Sequence, residues 1–307
     1  MGDSELMRIE GLTKYFAGRN GAPALDNVSF SVNDGQIVGF VGLNGAGKTT
    51  TIRIAAGVSL PSAGRVLVDG HDVVSDKVEA SRTIGWVPES PNFEPNSSGI
   101  SLMQYFAGFY GIPTSDARSR SMDLLKSVGL QGFESKKFRT YSQGMKKRFS
   151  LAAAMLSEPK NYLFDEVLNG LDPEGIRYFR SLMVELKAKS AAVLLSSHIL
   201  VEIESLADVV VFIHKGRVVR TTTREELQNV GKRIVKIVVR NVDQRAIMYL
   251  EGLGSVRREA DALYLTSEVD PARVNAELIG MGYQVSEFSA LKEGLEEYFL
   301  NMIAEAK

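Results

Sequence analysis

Gly42-Leu43-Asn44-Gly45-Ala46-Gly47-Lys48-Thr49-Thr50 is the stretch on which the fold turns. It fits the pattern G-x-x-x-x-G-K-[ST]. Before it runs Gln36-Ile37-Val38-Gly39-Phe40-Val41, a short apolar run with strand composition; after it, Thr51-Ile52-Arg53-Ile54-Ala55-Ala56 suits a helix. Strand, glycine-rich turn and helix in that order make a cradle for a polyphosphate. Glycine tolerates positive φ and carries no Cβ, so the backbone can wrap closely round the anion. The exposed N–H groups and the helix N-terminus then face its oxygens. Gly42, Asn44, Gly45, Ala46, Gly47, Lys48, Thr49 and Thr50 are therefore the nucleotide-binding candidates. Lys48 would reach the β- and γ-phosphates, and Thr49 would place its hydroxyl on Mg²⁺.

Two segments further along supply partners for that loop. Tyr162-Leu163-Phe164-Asp165-Glu166 reads as a buried strand ending in two carboxylates, at the end of the sheet where open α/β folds bind ligands. Asp165 is expected to hold Mg²⁺, and Glu166 is the natural general base for an attacking water. Val193-Leu194-Leu195-Ser196-Ser197 is another apolar strand, followed by His198. That histidine could meet the γ-phosphate and orient the water. The plainer reading makes Ser197 the N-cap of a helix starting at Ile199, and the two are compatible. His71 and His214, the other two histidines, are given no role.

With these residues in place the chain resembles the ATPase subunits of ATP-binding-cassette transporters over about residues 5 to 225. Tyr141-Ser142-Gln143-Gly144-Met145 resembles the family signature Leu-Ser-Gly-Gly-Gln, with Tyr, Gln and Met at three of its five positions. The resemblance implies that Ser142 and Gly144 touch the γ-phosphate of ATP held by a second cassette; the alternative for Ser142 is a helix N-cap. Lys146-Lys147-Arg148, which continues the signature helix, reads on its own as a solvated basic face. The resemblance also makes Phe16 the aromatic that stacks on adenine, with Tyr15 as runner-up. It makes Asp172, in Asn169-Gly170-Leu171-Asp172-Pro173, the residue that crosses the dimer interface, although Val167-Leu168 replaces the usual Pro-Thr or Pro-Ala. Glu89, in Trp86-Val87-Pro88-Glu89, stands where the family has a glutamine, and becomes a third candidate for Mg²⁺ beside Thr49 and Asp165; the alternative is an ordinary loop carboxylate.

The expected fold class is α/β: a P-loop NTPase cassette over residues 1–230 with a helical subdomain inserted at about 90–160, then a small α+β domain over 231–307. Strands are expected at 6–10, 27–33, 36–41, 65–69, 83–87, 161–165, 192–196, 208–213 and 217–221, with Asp34-Gly35 and Lys215-Gly216 as hairpin turns. Helical periodicity marks 101–110, 116–128, 143–157 and 173–189. After residue 231 the order β-α-β-β-α-β predicts a ferredoxin-like pattern. A closing helix is expected over about 291–304, with Leu295, Phe299 and Met302 on one face. Gly294-Leu295-Glu296-Glu297-Tyr298-Phe299-Leu300 resembles the tail of relatives that pair with drug- or polysaccharide-exporting membrane subunits; regulation, dimerisation and stability all remain open as its role.

Composition sets limits. The 307 residues carry a formal net charge of −1, with 44% hydrophobic and 24% charged residues, so nucleic acid is not an expected partner. The chain has no cysteine, which fits a reducing compartment. Its acidic start, Met1-Gly2-Asp3-Ser4-Glu5, has no apolar signal core, and no run approaches the ~20 apolar residues that span a bilayer. The family resemblance then implies an ATP-hydrolysing subunit using ATP and Mg²⁺. It would pair with a second cassette, as homo- or heterodimer, and drive integral membrane permease subunits, most naturally for export, from a cytoplasmic position at the inner face of the membrane. The competing reading is a soluble cassette ATPase acting on ribosomes or nucleic acid. Such relatives usually carry two cassettes or a long coiled coil. A GTPase would need Asn-Lys-x-Asp, which is absent.

Overall fold

The computed structural model describes residues 5–17, 21–230, 233–240, 242–267 and 269–292, with Leu295, Tyr298, Phe299, Met302 and Ile303 beyond them. The chain divides into two compact units, Met1–Arg224 and Glu225–Lys307.

The first unit begins with β1 (Glu5–Lys14) and β2 (Leu25–Asn33), followed by β3 (Ile37–Val41), α1 (Lys48–Ala55), β4 (Ala63–Val68), β5 (His71–Asp72), α2 (Lys77–Arg82) and β6 (Ile84–Val87). Three helices come next: α3 (Gly99–Phe109), α4 (Thr114–Ser127) and α5 (Gln143–Ala154). The chain then returns to alternation with β7 (Asn161–Asp165), α6 (Pro173–Ala188), β8 (Ala192–Ser197), α7 (Leu200–Leu206), β9 (Val209–His214) and β10 (Arg217–Thr223); α8 (Arg224–Val230) begins on the last residue of this unit and otherwise belongs to the second.

Two sheets result. One is antiparallel, in the order β2-β1-β4-β5; the other has six strands, β10-β9-β3-β8-β7-β6, parallel except for its edge strand β10. Every residue of β3, β7 and β8 is buried, which is why their sequences are continuous apolar runs rather than alternating ones. One core joins the antiparallel sheet, α1 and a face of the parallel sheet through Met7, Leu25, Phe40, Ile52, Leu163 and Leu194. The carboxyl ends of β3, β7 and β8 lie side by side, so the loops after them share one crevice.

The sequence reading found most of these elements and misjudged one connection. Lys215-Gly216 is a hairpin turn as expected: both residues have positive φ, 48° and 81°, and His214 pairs with Arg217. Asp34-Gly35 is a turn but not a hairpin, because β2 belongs to the antiparallel sheet and β3 to the parallel one. The turn closes locally, with the Gln36 N–H donating to Asn33 O (3.1 Å) and the Gln36 side chain accepting from the Asn33 N–H (3.0 Å). Turn chemistry reports a reversal of the chain, not the partner of the strand that follows.

Under α5 lies an aromatic cluster in which Phe93, Phe106, Phe138 and Phe149 have neighbouring ring centroids 5.0 to 5.5 Å apart. Tyr141 joins it, buried, and donates its hydroxyl to Phe133 O at 2.9 Å. Burial pushes that phenol up to about 12.

In the second unit, β11 (Arg233–Arg240), α9 (Gln244–Glu251), β12 (Ser255–Glu259), β13 (Ala262–Thr266), α10 (Pro271–Gly280) and β14 (Gln284–Lys292) run in the order β-α-β-β-α-β. Their antiparallel sheet has the order β12-β13-β11-β14. Val235, Ile237 and Val239 alternate along β11 and pack with Leu250, Leu263, Leu265, Val274 and Leu278. Asp243 and Asp270 cap α9 and α10 by accepting from the Ala246 and Ala272 N–H groups. Of the expected closing helix, Leu291 and Lys292 instead end β14, while Leu295, Tyr298, Phe299, Met302 and Ile303 are helical. Leu295, Phe299 and Ile303 are its buried residues, with Ile303 rather than Met302 completing the face. The rest of that stretch lies outside the described residues.

Candidate active site

The loop between β3 and α1 is shaped by two glycines that nothing larger could replace. A Cβ on Gly42 would stand 2.4 Å from Ile213 O. Gly47, the N-cap of α1, has φ 117°, and its Cβ would stand 2.6 Å from Leu25 Cδ2. No side chain caps α1, so its first amides are left for an anion. Lys48 is buried, with Nζ donating to Gly42 O (2.7 Å) and Leu43 O (3.4 Å) and lying 3.2 Å from Glu166 Oε1.

Asp165, at the end of β7, accepts at Oδ1 from Thr49 Oγ1 (3.1 Å) and from Ser196 Oγ (2.9 Å). Burial raises its pKa; the two hydroxyl bonds oppose the rise, and the charges of Glu89 and Glu166 add to it. Ser196 also holds the next residue: the Glu166 N–H reaches both Ser196 Oγ (3.0 Å) and Ser196 O (3.2 Å). Glu166 itself sits in the left-handed region, at φ 48°. Its second oxygen, Oε2, accepts from the His198 N–H and from Asn169 Nδ2, each at 3.2 Å, and lies 2.8 Å from His198 Nδ1. A carboxylate only accepts, so Nδ1 carries the hydrogen and Nε2 is left as the free ring nitrogen. Ser197 is not the N-cap expected of it: the cap of α7 is Ile199, and Ser197 Oγ accepts from the Ile199 N–H (2.9 Å) in a local turn.

A cleft of about 380 Å³ brings the expected Asn44, Gly45, Gly47, Lys48, Thr49, Thr50, Glu89, Glu166 and His198 together, with Ala24 and Asn169 added. A neighbouring cleft shares Thr49 and Glu89 and adds Asp165, Arg53, Trp86 and Pro88. Gly42 and Ala46 lie within the loop's buried side. Phe16 and Tyr15 line neither cleft; both are exposed, and Lys14 Nζ stands 5.0 Å from the Phe16 ring.

Ser142 and Gly144 also stand outside this chain's own cleft. Ser142 caps α5, accepting from the Met145 N–H at 3.2 Å, with its side chain exposed. A Cβ on Gly144 would approach Gly170 O to 3.2 Å, which brings the signature against the loop before α6. Asp172 caps α6 through the Gly175 N–H (2.9 Å) and pairs with Arg148 Nη2 (2.5 Å). The Arg148 guanidinium, aided by that amide, holds the Asp172 carboxyl below its ordinary range.

The basic run beside the signature is not the solvated face expected of it. Lys147 and Arg148 are buried. Arg148 reaches Asp172 and Val128 O, and Lys147 Nζ donates to Pro88 O (3.1 Å) and Glu166 O (3.5 Å). Four residues with evident roles, Lys147, Arg148, Asn169 and Ser196, thus went unassigned in the sequence. Asn169 and Ser196 lay inside segments singled out for other residues, but their partners are non-local.

The ABC transporter family matches residues 25–169, a span that runs from before the phosphate loop to Asn169. The bacitracin transport ATP-binding protein BcrA of Bacillus licheniformis is 30% identical over 305 residues, covering 98% of both chains. The doxorubicin resistance ATP-binding protein DrrA of Mycobacterium tuberculosis is 32% identical over 270 residues, covering 87% of this chain and 81% of its own. A solved structure described as the ATP-binding subunit of an ABC transporter superposes with TM-score 0.68 at 31% identity, over 73% of this chain and 92% of that one. A second, described as a dimeric post-hydrolysis state of an ATP-binding cassette bound to ADP and Pi, gives TM-score 0.66 at 23% identity, over 71% and 98%. At full-length coverage and this identity, the chain belongs to the ABC transporter family as one of its ATP-binding subunits.

Proposed function

We propose that this subunit hydrolyses ATP between its own phosphate loop and the signature of a second cassette, and that the cycle drives an export permease in the membrane. The observation that carries the reading is Glu166. Its carboxylate is buried at the mouth of the phosphate loop, one oxygen on Lys48 and the other on His198 and Asn169.

In that arrangement the phosphate-binding cation and the general base pair with each other. An arriving polyphosphate competes for Lys48 and releases Oε1, which is then free to take a proton from water. Oε2 keeps its three partners and fixes the direction of the base. His198 lines the same cleft, where a γ-phosphate oxygen would come within its reach. The Thr49 hydroxyl and Asp165, already in contact, are hard oxygen donors, and Glu89 lines the same cleft. That set suits Mg²⁺, which binds through one or two carboxylates and leaves other positions to phosphate and water. When bound, the ion would neutralise charge on the β- and γ-phosphates.

Pairing with a second cassette is supported by the position of Ser142 and Gly144. They present a capped helix N-terminus and an exposed hydroxyl, good anion ligands, yet neither lines this chain's own cleft. The dimer named in the second structural neighbour is consistent with that geometry. Among the described residues no helix is long and apolar enough to cross a membrane. The membrane path then belongs to partner permease subunits, with this chain peripheral at the inner face of the membrane. Export follows the printed roles of the relatives, bacitracin transport and doxorubicin resistance. We further propose residues 231–307 as a ferredoxin-like accessory domain, and Phe16, with Tyr15 beside it, as the adenine platform. The test is turnover by Lys48→Ala. Loss of ATP hydrolysis with retained secondary structure is expected; hydrolysis at the wild-type rate would refute the assignment of the loop.

A further inference from the structure

The sequence departs from the family pattern at Glu89, and the departure leaves an electrostatic problem. Asp165, Glu166 and Glu89 line two adjoining clefts that share Glu89, and the charges of Glu89 and Glu166 help push Asp165 up. Lys48 answers one of the three, Glu166, through Oε1. A second ammonium comes from Lys147, the fifth residue of α5, whose charge interacts with all three carboxylates.

Lys147 is 5% exposed, and burying an ammonium is costly without compensation. Burial draws its pKa down to about 8, while Asp165, Glu89 and Glu166, in that order, hold it up. Its hydrogen bonds go to backbone: Pro88 O, one residue before Glu89, and Glu166 O, the carbonyl of the base itself. One side chain therefore ties three segments together: the signature helix, the loop after β6, and the loop after β7. A neutral side chain could not balance the carboxylates, and a surface cation could not reach both carbonyls.

We propose that Lys147 is a positioning residue of the ATPase site, which clamps the Glu89 and Glu166 loops to the signature helix and offsets the charge that Glu89 adds. The inference rests on the reading of Glu166 as the base. It places Lys147 on the hydrolytic step, not on nucleotide capture, since Lys147 itself lines neither cleft and its two hydrogen bonds go to the Glu89 and Glu166 loops rather than to the phosphate loop.

The experiment compares steady-state ATP hydrolysis by the full chain with that of Lys147→Met, Lys147→Arg, Glu89→Gln and the double variant Lys147→Met/Glu89→Gln. Thermal melts accompany each. Lys147→Met is expected to lower kcat about tenfold or more with KM for ATP within about threefold, the split of a group that acts on the reacting geometry. Lys147→Arg, which keeps the charge, should recover most of the rate. Adding Glu89→Gln to Lys147→Met should raise kcat again, because one of the unbalanced carboxylates is gone. Wild-type kcat in Lys147→Met overturns the proposal. So does a loss that neither arginine nor Glu89→Gln relieves and that follows the melting temperature, since that describes packing alone. If Lys147→Met does not fold, Lys147→Gln alone and with Glu89→Gln gives the same decision. Glu166→Gln is run in parallel: if it retains wild-type turnover, the reading of the base has failed. If it loses turnover while Lys147→Met does not, only the present inference has.

Discussion

Replacing Glu166 by glutamine should make the chain bind nucleotide more tightly while it stops hydrolysing it. The Lys48 ammonium lies 3.2 Å from Glu166 Oε1, and both side chains are under a tenth exposed. Unit charges at that distance attract by about 5 kcal/mol at an effective dielectric of 20. Desolvation of the two groups cancels much of that, and Lys48 keeps its bond to Gly42 O in either state. What remains is the net worth of a charged hydrogen bond, about 1.5–3 kcal/mol. A phosphate must displace this carboxylate to reach Lys48. Glutamine keeps the shape and the bonds from His198 and Asn169 but competes weakly for the ammonium. Taking the lower bound, about 1.5 kcal/mol corresponds to roughly a tenfold lower Kd. ADP is the clean probe, because it needs Lys48 and asks nothing of a general base. Calorimetric titration of ADP into the full chain should give a Kd about tenfold below wild type, while ATP turnover falls about a hundredfold or more. An ADP Kd equal to or weaker than wild type would refute the competition between base and nucleotide. With ATP and Mg²⁺ the same variant should sediment and scatter as a dimer. A strictly monomeric variant at saturating ATP would instead point to pairing with a different cassette.

Ser142→Arg should abolish that dimer while leaving ATP binding to the monomer within about threefold, since Ser142 caps α5 and lines no cleft of its own chain; the lost cap itself costs about 1 kcal/mol. Equilibrium sedimentation and nucleotide titration of one preparation check both halves. A chain ending at Val230 should still bind ATP, because every residue lining the cleft lies upstream; a folded fragment that cannot bind would show that the second unit contributes to the site. Asp165→Asn should raise the melting temperature of the nucleotide-free chain at pH 8 while weakening the Mg²⁺ dependence of turnover. The sign follows from burial: the raised pKa of Asp165 means its charge destabilises the fold above that pKa. The difference between variant and wild type should therefore shrink as pH falls through the raised value and disappear below 3.8, where the wild-type carboxyl is protonated in both states. A constant difference across that range would mean another cause.

The phosphate loop could be read from nine consecutive residues because its chemistry is local: the glycines, the lysine and the threonine are neighbours in the chain, and the helix that follows starts at Lys48. The buried strands were equally plain, since β3, β7 and β8 are buried on every side and need no partner to be recognised. What escaped depends on contacts across the fold. Lys146-Lys147-Arg148 has the composition of a solvated face, and only the packing of α5 against the loops after β6 and β7 turns two of its cations inward. The Asp34-Gly35 turn failed as a hairpin for the same reason, as two strands adjacent in sequence went to different sheets. Tyr141, unusual as a substitute for leucine, proved to be a core residue whose hydroxyl finds a backbone carbonyl.

The backbone at Glu166 sets a choice among side chains. At φ 48° a residue without glycine's freedom is strained by about 1–3 kcal/mol, and aspartate tolerates that region better than glutamate. Aspartate would, however, be one methylene shorter, about 1.5 Å, and could not span from Lys48 to His198. Position 166 thus carries the carboxylate with the longer arm on the less comfortable backbone. The latch is Ser196, which grips the Glu166 amide from the neighbouring strand through both its hydroxyl and its carbonyl. Without that latch residue 166 would be free to relax towards ordinary dihedrals, and its carboxylate would lose its fixed place between Lys48 and His198. The firing pin of this motor is therefore cocked from behind, by two adjacent strands keeping register, and damage to that seam would reach Glu166 and Asp165 together, since Ser196 holds both.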